Sequence, residues 1–237
     1  MYSEILQRTR MLVGEHGIEK LKNSNVLILG IGGVGGFAAE AIARAGVGNI
    51  TIVDKDTVDI TNINRQIVAL QSTIGKSKVD VMKGRIADIN PATNVNAINA
   101  LYNSETADSI LSSDYDYVVD AIDMVSSKID LIKRCHDSGI SIISSMGMGN
   151  KLDPTKISVS DIYKTSMCPL ARVMRKELKS RMVKKLNVVY STEKPVDVPK
   201  SVDPESKKVS PGSISFVPSA AGLIMASVVI NGLLQRD

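Results

Sequence analysis

The stretch Val26-Leu-Ile-Leu-Gly-Ile-Gly-Gly-Val-Gly-Gly36 decides how the rest of the chain is read. Four apolar residues run into a glycine-rich turn, and Phe37-Ala-Ala-Glu-Ala-Ile-Ala-Arg-Ala-Gly46 then reads as a helix. Glycine has no Cβ, so Gly30, Gly32, Gly33 and Gly35 permit a tight turn in which backbone N–H groups at the helix start can close on an anion. The glycine spacing alone is weak, and a tight turn without a ligand is the plain alternative. Its context strengthens it: a second strand, Asn49-Ile-Thr-Ile-Val-Asp54, ends in an acid about 20 residues on, where a ribose hydroxyl would be held.

Working outward, strands and helices alternate through most of the 237 residues, which predicts a doubly wound, Rossmann-like α/β fold with a mostly parallel sheet and flanking helices. That length suffices to bury about 70% or more of the surface exposed by the unfolded chain. Tryptophan is absent and only two phenylalanines are present, so the core must be Ile, Val, Leu, Met and Ala, as parallel sheets use. Residues 1–237 are expected to form one unit, with a nucleotide-binding half over 1–150 and a substrate-side half over 151–237. The formal net charge is +4, and the two cysteines, Cys135 and Cys168, lie far apart. With no signal-peptide order at the N-terminus, a reducing, cytoplasmic setting without a membrane is expected. Phe216 to Leu234 is long and apolar, but Pro218, Ser219, Ser227 and Asn231 interrupt it, which favours a helix packed inside the protein.

Residues 1 to 24 show a helical pattern with Ile5, Leu6, Met11, Leu12, Ile18 and Leu21 on one face. Arg8 and Arg10 there are either solvated charges or groups reaching to a nucleotide. After the second strand comes Asp54-Lys-Asp-Thr-Val-Asp-Ile-Thr-Asn-Ile-Asn-Arg-Gln66, leaving the carboxyl end of a strand, where such folds bind ligands. Asp54 suits a ribose, Arg65 can fork two phosphate oxygens, and Asn62 and Gln66 can orient the remainder. Gly75 to Asn90 continues as an amphipathic helix with Lys78 in its first turn; a cation there is locally unfavourable, which favours a phosphate partner. A strand at Asn94–Ala100 and a helix around Ser104–Leu111 lead to Tyr115-Asp-Tyr-Val-Val-Asp-Ala-Ile-Asp123. Of the two acids at its carboxyl end, one could cap the following helix, and Asp123 is suited to Mg2+.

A helix at Ser126–Ser138 and a strand at Ser141–Ser145 lead to the turn Met146-Gly-Met-Gly149. Beyond Asp153, Lys156–Ile162 reads as a strand and Pro169–Leu186 as a helix bearing Arg172, Arg175, Lys176, Lys179, Arg181, Lys184 and Lys185. A solvated face is the bland reading; an RNA partner would relieve the mutual repulsion of these cations. Asn187–Ser191 is a strand. Glu193–Gly212 is rich in Pro, Lys, Asp and Ser and reads as a loop, mobile near 194–212, followed by a short strand from Ser213 and the closing apolar helix.

The glycine turn and Asp54 would also serve NAD. A dehydrogenase is the rival, but the only histidines, His16 and His136, are not on loops beside a nicotinamide, and the Tyr190…Lys194 spacing lacks a helix to pair it. Taken together, Gly-x-Gly-Gly-x-Gly, Asp-x-Asp, Asn-x-x-Arg-Gln, a lysine and a strand-ending Asp resemble the ubiquitin-activating-type adenylating enzymes, the ThiF and MoeB superfamily. Arg8-Thr-x-x-Leu-x-Gly14, Asp161-Ile-Tyr-Lys-Thr, Pro169-Leu-Ala-Arg-Val-Met-Arg-Lys-Glu-Leu178 and Gly212-Ser-Ile-Ser-Phe-Val-Pro-Ser219 are similar to its tRNA threonylcarbamoyladenosine dehydratase branch. The resemblance implies ATP-dependent cyclising dehydration of N6-threonylcarbamoyladenosine in tRNA through a threonyl adenylate. It implies that Gly30, Gly32, Gly33 and Gly35 line the ATP phosphates, that Asp54 holds the ribose, that Asp56, Asn62 and Gln66 shape the site, and that Arg65 and Lys78 neutralise phosphates. Asp123 would bind Mg2+, and Arg8 would reach a partner's ATP in a homodimer. Arg172, Arg175, Lys176 and Lys179 are the candidate tRNA contacts, and a sulfur-relay protein stays open as a further partner. Zinc held by two Cys-x-x-Cys pairs is excluded by two lone cysteines. The alternative is adenylation of a ubiquitin-like sulfur carrier protein at its C-terminal glycine, with Cys168 as acceptor thiol; a nucleotide-binding scaffold ranks last.

Overall fold

Apolar runs with both faces covered build the centre of the sheet. In the computed structural model, which describes residues 2–198 and 211–234, the strands are β1 (Asn25–Leu29), β2 (Asn49–Val53), β3 (Asn94–Ile98), β4 (Tyr117–Asp120), β5 (Ile142–Ser145), β6 (Ile157–Asp161) and β7 (Asn187–Ser191). Their order is β3-β2-β1-β4-β5-β7-β6, with β6 antiparallel to β7 and the other pairings parallel. The helices are α1 (Tyr2–Ile5), α2 (Gln7–Asn23), α3 (Gly35–Ala45), α4 (Lys78–Ile89), α5 (Ala107–Ile110), α6 (Val125–Ser138), α7 (Pro169–Ser180) and α8 (Phe216–Leu234).

Successive side chains of a strand point to opposite faces. Val26 and Ile28 of β1 join Ile50, Ile52, Val119, Ile143 and Val189 beneath α2, α3, α4 and α8. Leu27 and Leu29 face the other way, packing with Val53, Val118, Leu131 and Cys135. A third cluster joins Ile132 of α6, Met174 and Leu178 of α7, and Val188 of β7. The predicted doubly wound sheet is therefore the observed one. Its order reverses at β1 and β4: the chain winds outward through β2 and β3 on one side, then returns to start β4 on the other. A crevice forms there, where such sheets bind ligands.

Several local expectations change. Gly14, at φ 72° and ψ 176°, breaks α2, so the stripe of Ile18 and Leu21 does not extend into the first segment. Of the six residues expected on one buried face, Leu6, Ile18 and Leu21 are buried, whereas Ile5, Met11 and Leu12 are exposed. α7 stops at Ser180, six residues short of the expected Leu186, because Met182 turns left-handed at φ 60° and Val183 N–H bonds back to Leu178 O. Arg181, Lys184 and Lys185 thus lie on the connection to β7. Ser213 belongs to no strand, and the helix around Ser104 shrinks to α5. Most of the loop expected near 194–212 lies outside the described residues. α8 is long and apolar enough to cross a membrane by length and composition, but Val217, Ala221, Met225 and Val229 are buried against α3, α2 and the sheet.

Candidate active site

Strand register sets the site. Leu29 pairs with Val53 and with Asp120, so Gly30, Asp54 and Ala121 leave three adjacent strands at one level. Gly30 has φ +88°, and a Cβ on it would stand 2.5 Å from Ala121 O. At Gly35 the added atom would lie 1.8 Å from Gly30 O, closer than any real contact. The turn is thus wound so tightly that glycine is required at both positions. Gly30, Gly32 and Gly33 line a cavity of about 540 Å³, whereas Gly35 is buried at the start of α3 and is not among its lining residues.

The same cavity is lined by Asp54, Asp56, Asn62, Arg65, Gln66, Lys78 and Asp123. Asp54 is fixed by two backbone donors: Ile31 N–H gives to Oδ2 at 2.6 Å and Asp56 N–H to Oδ1 at 2.8 Å. Lys78 is almost fully buried at the start of α4, and its Nζ lies 3.1 Å from Asp56 Oδ2. The partner that offsets its unfavourable place at a helix start is therefore, in this structure, a carboxylate of the same loop. Asn62 is buried and closes a reciprocal cap: its Oδ1 accepts from Asp59 N–H at 3.2 Å while Asp59 Oδ1 accepts from Thr61 N–H at 2.8 Å. Hydrogen bonds from the Thr61 hydroxyl and N–H hold the Asp59 carboxyl below its usual range.

Arg65 lies against Gly33, its Nη1 donating to Thr61 O at 3.0 Å and to Asn64 Oδ1 at 2.9 Å. Gln66 is buried with its Oε1 unpaired among the described residues. Asp123 is exposed at the cavity wall and has no hydrogen-bond or ion-pair partner among the described residues. Neither acid of that strand end caps α6, whose N-cap is Met124; Asp120 turns inward and is fully buried. The far wall is made of Met146 to Gly149, Leu170, Pro211, Ser213 and Pro218.

Other expected residues lie elsewhere. Arg8 is exposed on α2 and does not line the cavity, while Arg10 pairs with Glu15 at 2.9 Å. On α7, Arg172, Lys176 and Lys179 are exposed, whereas Arg175 is half-buried and bonds Thr165, donating to its carbonyl at 3.0 Å and to its hydroxyl. Cys168 is 3% exposed and starts α7; Cys135 is fully buried, and desolvation pushes its thiol up to about 12. Tyr190 is buried within β7, so no helix pairs it with Lys194.

Two contributors escape sequence reasoning. Asn64 Nδ2 donates to Ser213 O at 3.0 Å, tying the Asn-x-x-Arg-Gln loop to the approach to α8. No local pattern links residues so far apart. The other is Lys128, which carried a signal: it shares the buried stripe of α6 with Leu131, Ile132 and Cys135, where a lysine is out of place unless paired.

Comparison with known proteins agrees with this architecture. Residues 6–237 match the ThiF family. The tRNA threonylcarbamoyladenosine dehydratase of Bacillus subtilis is 49% identical over 238 residues, 96% of this chain and 94% of its own length. The crystal structure of the E. coli tRNA N6-threonylcarbamoyladenosine dehydratase TcdA in complex with ATP superposes with a TM-score of 0.90 at 34% identity, covering 99% of this chain and 95% of that one. The likeness to the molybdopterin-synthase adenylyltransferase of Haemophilus influenzae is 38% over 128 residues, 54% of this chain and 52% of that protein. Glycine turn, acid-ended β2, Asn-x-x-Arg-Gln loop and full-length match lead to one assignment: the chain belongs to the ThiF family.

Proposed function

We propose that this chain is an ATP-dependent tRNA threonylcarbamoyladenosine dehydratase. One observation carries the reading: the likeness to the Bacillus subtilis dehydratase runs across both halves of the chain, 96% of it, and so takes in α7 and α8 as well as the nucleotide turn. Likeness to a molybdopterin-synthase adenylyltransferase stops at about half of each protein. That, with Cys168 almost closed to solvent, disfavours the sulfur-carrier alternative.

The chemistry follows from the cavity. ATP binds with its phosphates over Gly30, Gly32 and Gly33 and its ribose at Asp54, whose backbone-held carboxylate is already oriented. An oxygen of the threonyl carboxylate attacks the α-phosphorus, the bond to the β-phosphate breaks, and pyrophosphate leaves. Arg65 and Lys78 face the charge that gathers on the phosphates, a contribution of positioning and electrostatics that needs no nucleophilic side chain. A nucleophilic atom of the same modification then attacks the activated carbonyl carbon and loses its proton. AMP departs with the former carboxylate oxygen, so the ring forms with net loss of water.

The donor set fits Mg2+: an oxygen ligand, Asp123, unpaired at the wall beside a phosphate turn. When bound, the ion would neutralise charge on the phosphates. Arg8, exposed outside the cavity, is assigned to the nucleotide of a second protomer in a homodimer, and the exposed Arg172, Lys176 and Lys179 to tRNA. We assign residues 1–150 to the nucleotide and 151–237 to the tRNA, in a cytoplasmic enzyme, with a sulfur-relay protein as a further candidate partner.

The test is AMP release from ATP and Mg2+ with threonylcarbamoylated tRNA, unmodified tRNA, or no RNA. Release stimulated only by the modified tRNA, with its nucleoside lighter by one water in mass spectrometry, is the expected outcome. No stimulation by any RNA would overturn the reading and turn attention to carrier proteins ending in Gly-Gly, with Cys168→Ala.

A further inference from the structure

Lys128 and Asp120 form an ion pair in which both side chains have no exposure to solvent. Their charged atoms, Nζ and Oδ2, stand 3.0 Å apart. Asp120 Oδ2 also accepts from Ser144 Oγ of β5 at 2.6 Å, and its Oδ1 from Ile122 N–H at 3.2 Å. Lys128 Nζ donates in turn to Ile122 O at 3.1 Å. Both polar backbone groups of Ile122 are therefore held by this one pair. Ala121, directly before, is the residue packed against Gly30; Asp123, directly after, is the exposed carboxylate on the cavity wall.

Such a pair is a poor device for stability, because an apolar pair of similar volume is often as stable or more so. What it supplies is a fixed backbone path. Asp120 anchors that path to β4 and β5 through its own strand and Ser144, and Lys128 anchors it to α6. Between these two rigid elements the chain has three residues, Ala121 to Asp123, before it reaches the N-cap at Met124.

We propose that Lys128 and Asp120 are positioning residues for Asp123. By gripping Ile122 at its N–H and its carbonyl, they hold the Asp123 carboxylate toward the nucleotide. This rests on the reading of Asp123 as the Mg2+ ligand. A group that hydrogen-bonds a metal ligand directly is typically worth about 10- to 100-fold in metal affinity; Lys128 and Asp120 act one residue removed, through Ile122, so their loss should fall at or below the lower end of that range.

The test uses the full chain with Lys128→Met, Lys128→Arg and Asp123→Asn. It measures ATP affinity by calorimetry over a Mg2+ titration and in EDTA, together with amide exchange at Ile122 and Asp123. For Lys128→Met the Mg2+ concentration at half-maximal effect should rise severalfold, up to about 10-fold, with faster exchange at both amides and ATP affinity in EDTA unchanged. Lys128→Arg, which keeps the charge, should recover most of the shift. A shift in Asp123→Asn with none in Lys128→Met overturns the positioning role. No shift in Asp123→Asn overturns the metal reading itself, and the proposal with it. If Lys128→Met alone does not fold, Asp120→Asn combined with Lys128→Met removes both buried charges and is held to the same outcome.

Discussion

The two halves of the chain carry their charged groups by different means. On the side of β1, β2 and β4, groups are tied to backbone or buried: Asp54 by two N–H donors, Lys78 by Asp56, Asn62 by its reciprocal cap. On the side of residues 151–237, the cations Arg172, Lys176 and Lys179 stand in solvent on α7. The first arrangement is preorganised, so its parts depend on one another and a small displacement is costly. The second is a set of solvated charges, each worth a modest and separable amount. Damage on the two sides should therefore look different, steep on one and graded on the other.

The steepest loss is expected at Gly35. A methyl group there meets Gly30 O at 1.8 Å, and that oxygen belongs to backbone that cannot swing aside. Gly35→Ala should cost about 3 kcal/mol of stability, at the upper end for overpacking, and abolish ATP binding by calorimetry. Gly84, within α4, meets nothing within 4 Å. Gly84→Ala should instead stabilise by roughly 0.5–1 kcal/mol. Equal tolerance at the two positions, read by denaturant unfolding, would break the contrast.

That contrast was legible wherever the information is local. β1, the glycine turn, α3 and the acid at the end of β2 follow from one contiguous stretch, because strand and helix periods and glycine placement are local properties. The Asp54–Gln66 loop was legible as a polar segment at the carboxyl end of a strand. The fates of Asp120 and Asp123 were not, since they sit three residues apart in one motif and are separated only by Lys128 of the next helix, which claims the first. The helical stripe of the N-terminus failed because a single left-handed Gly14 resets the face. The wall at Pro211 and Ser213 was hidden for another reason: its bond to Asn64 spans 149 residues, which no periodicity encodes. Arg175 looked like its neighbours until Thr165 folded against it.

Arg175 also sharpens the second region. If α7 binds tRNA through exposed charge, Lys176→Glu with Lys179→Glu should weaken tRNA binding about 10-fold or more and lower the salt slope by about 2, one for each phosphate no longer neutralised. ATP affinity should stay unchanged. Arg175→Ala should act mainly on stability, lowering the melting temperature, because its guanidinium is engaged with Thr165. Filter binding across a salt series separates the two. Unchanged tRNA affinity in the double variant would remove α7 from the interface.

The smallest effect tests the edge of the preorganised region. Glu40 of α3 is buried, which alone would raise its pKa, yet side-chain bonds from Arg85 and Arg44 outweigh this and hold the carboxyl below its usual range. Arg85 Nε reaches Glu40 Oε2 at 2.5 Å and Arg44 Nη2 reaches Oε1 at 2.7 Å. Because the folded pKa is the lower one, the ionised form favours folding. The contribution is present above the unfolded value, about 4.3, and is lost as pH falls through the folded value. Both arginines are partly exposed, so solvent screening limits the gain to about 1 kcal/mol. The stability difference between wild type and Glu40→Gln, followed by denaturant unfolding from pH 7 downward, should hold constant to about pH 5 and close at lower pH. A difference that persists unchanged to pH 2 would mean that Glu40 acts through packing between α3 and α4, and that charge matters less on this side of the molecule than on α7.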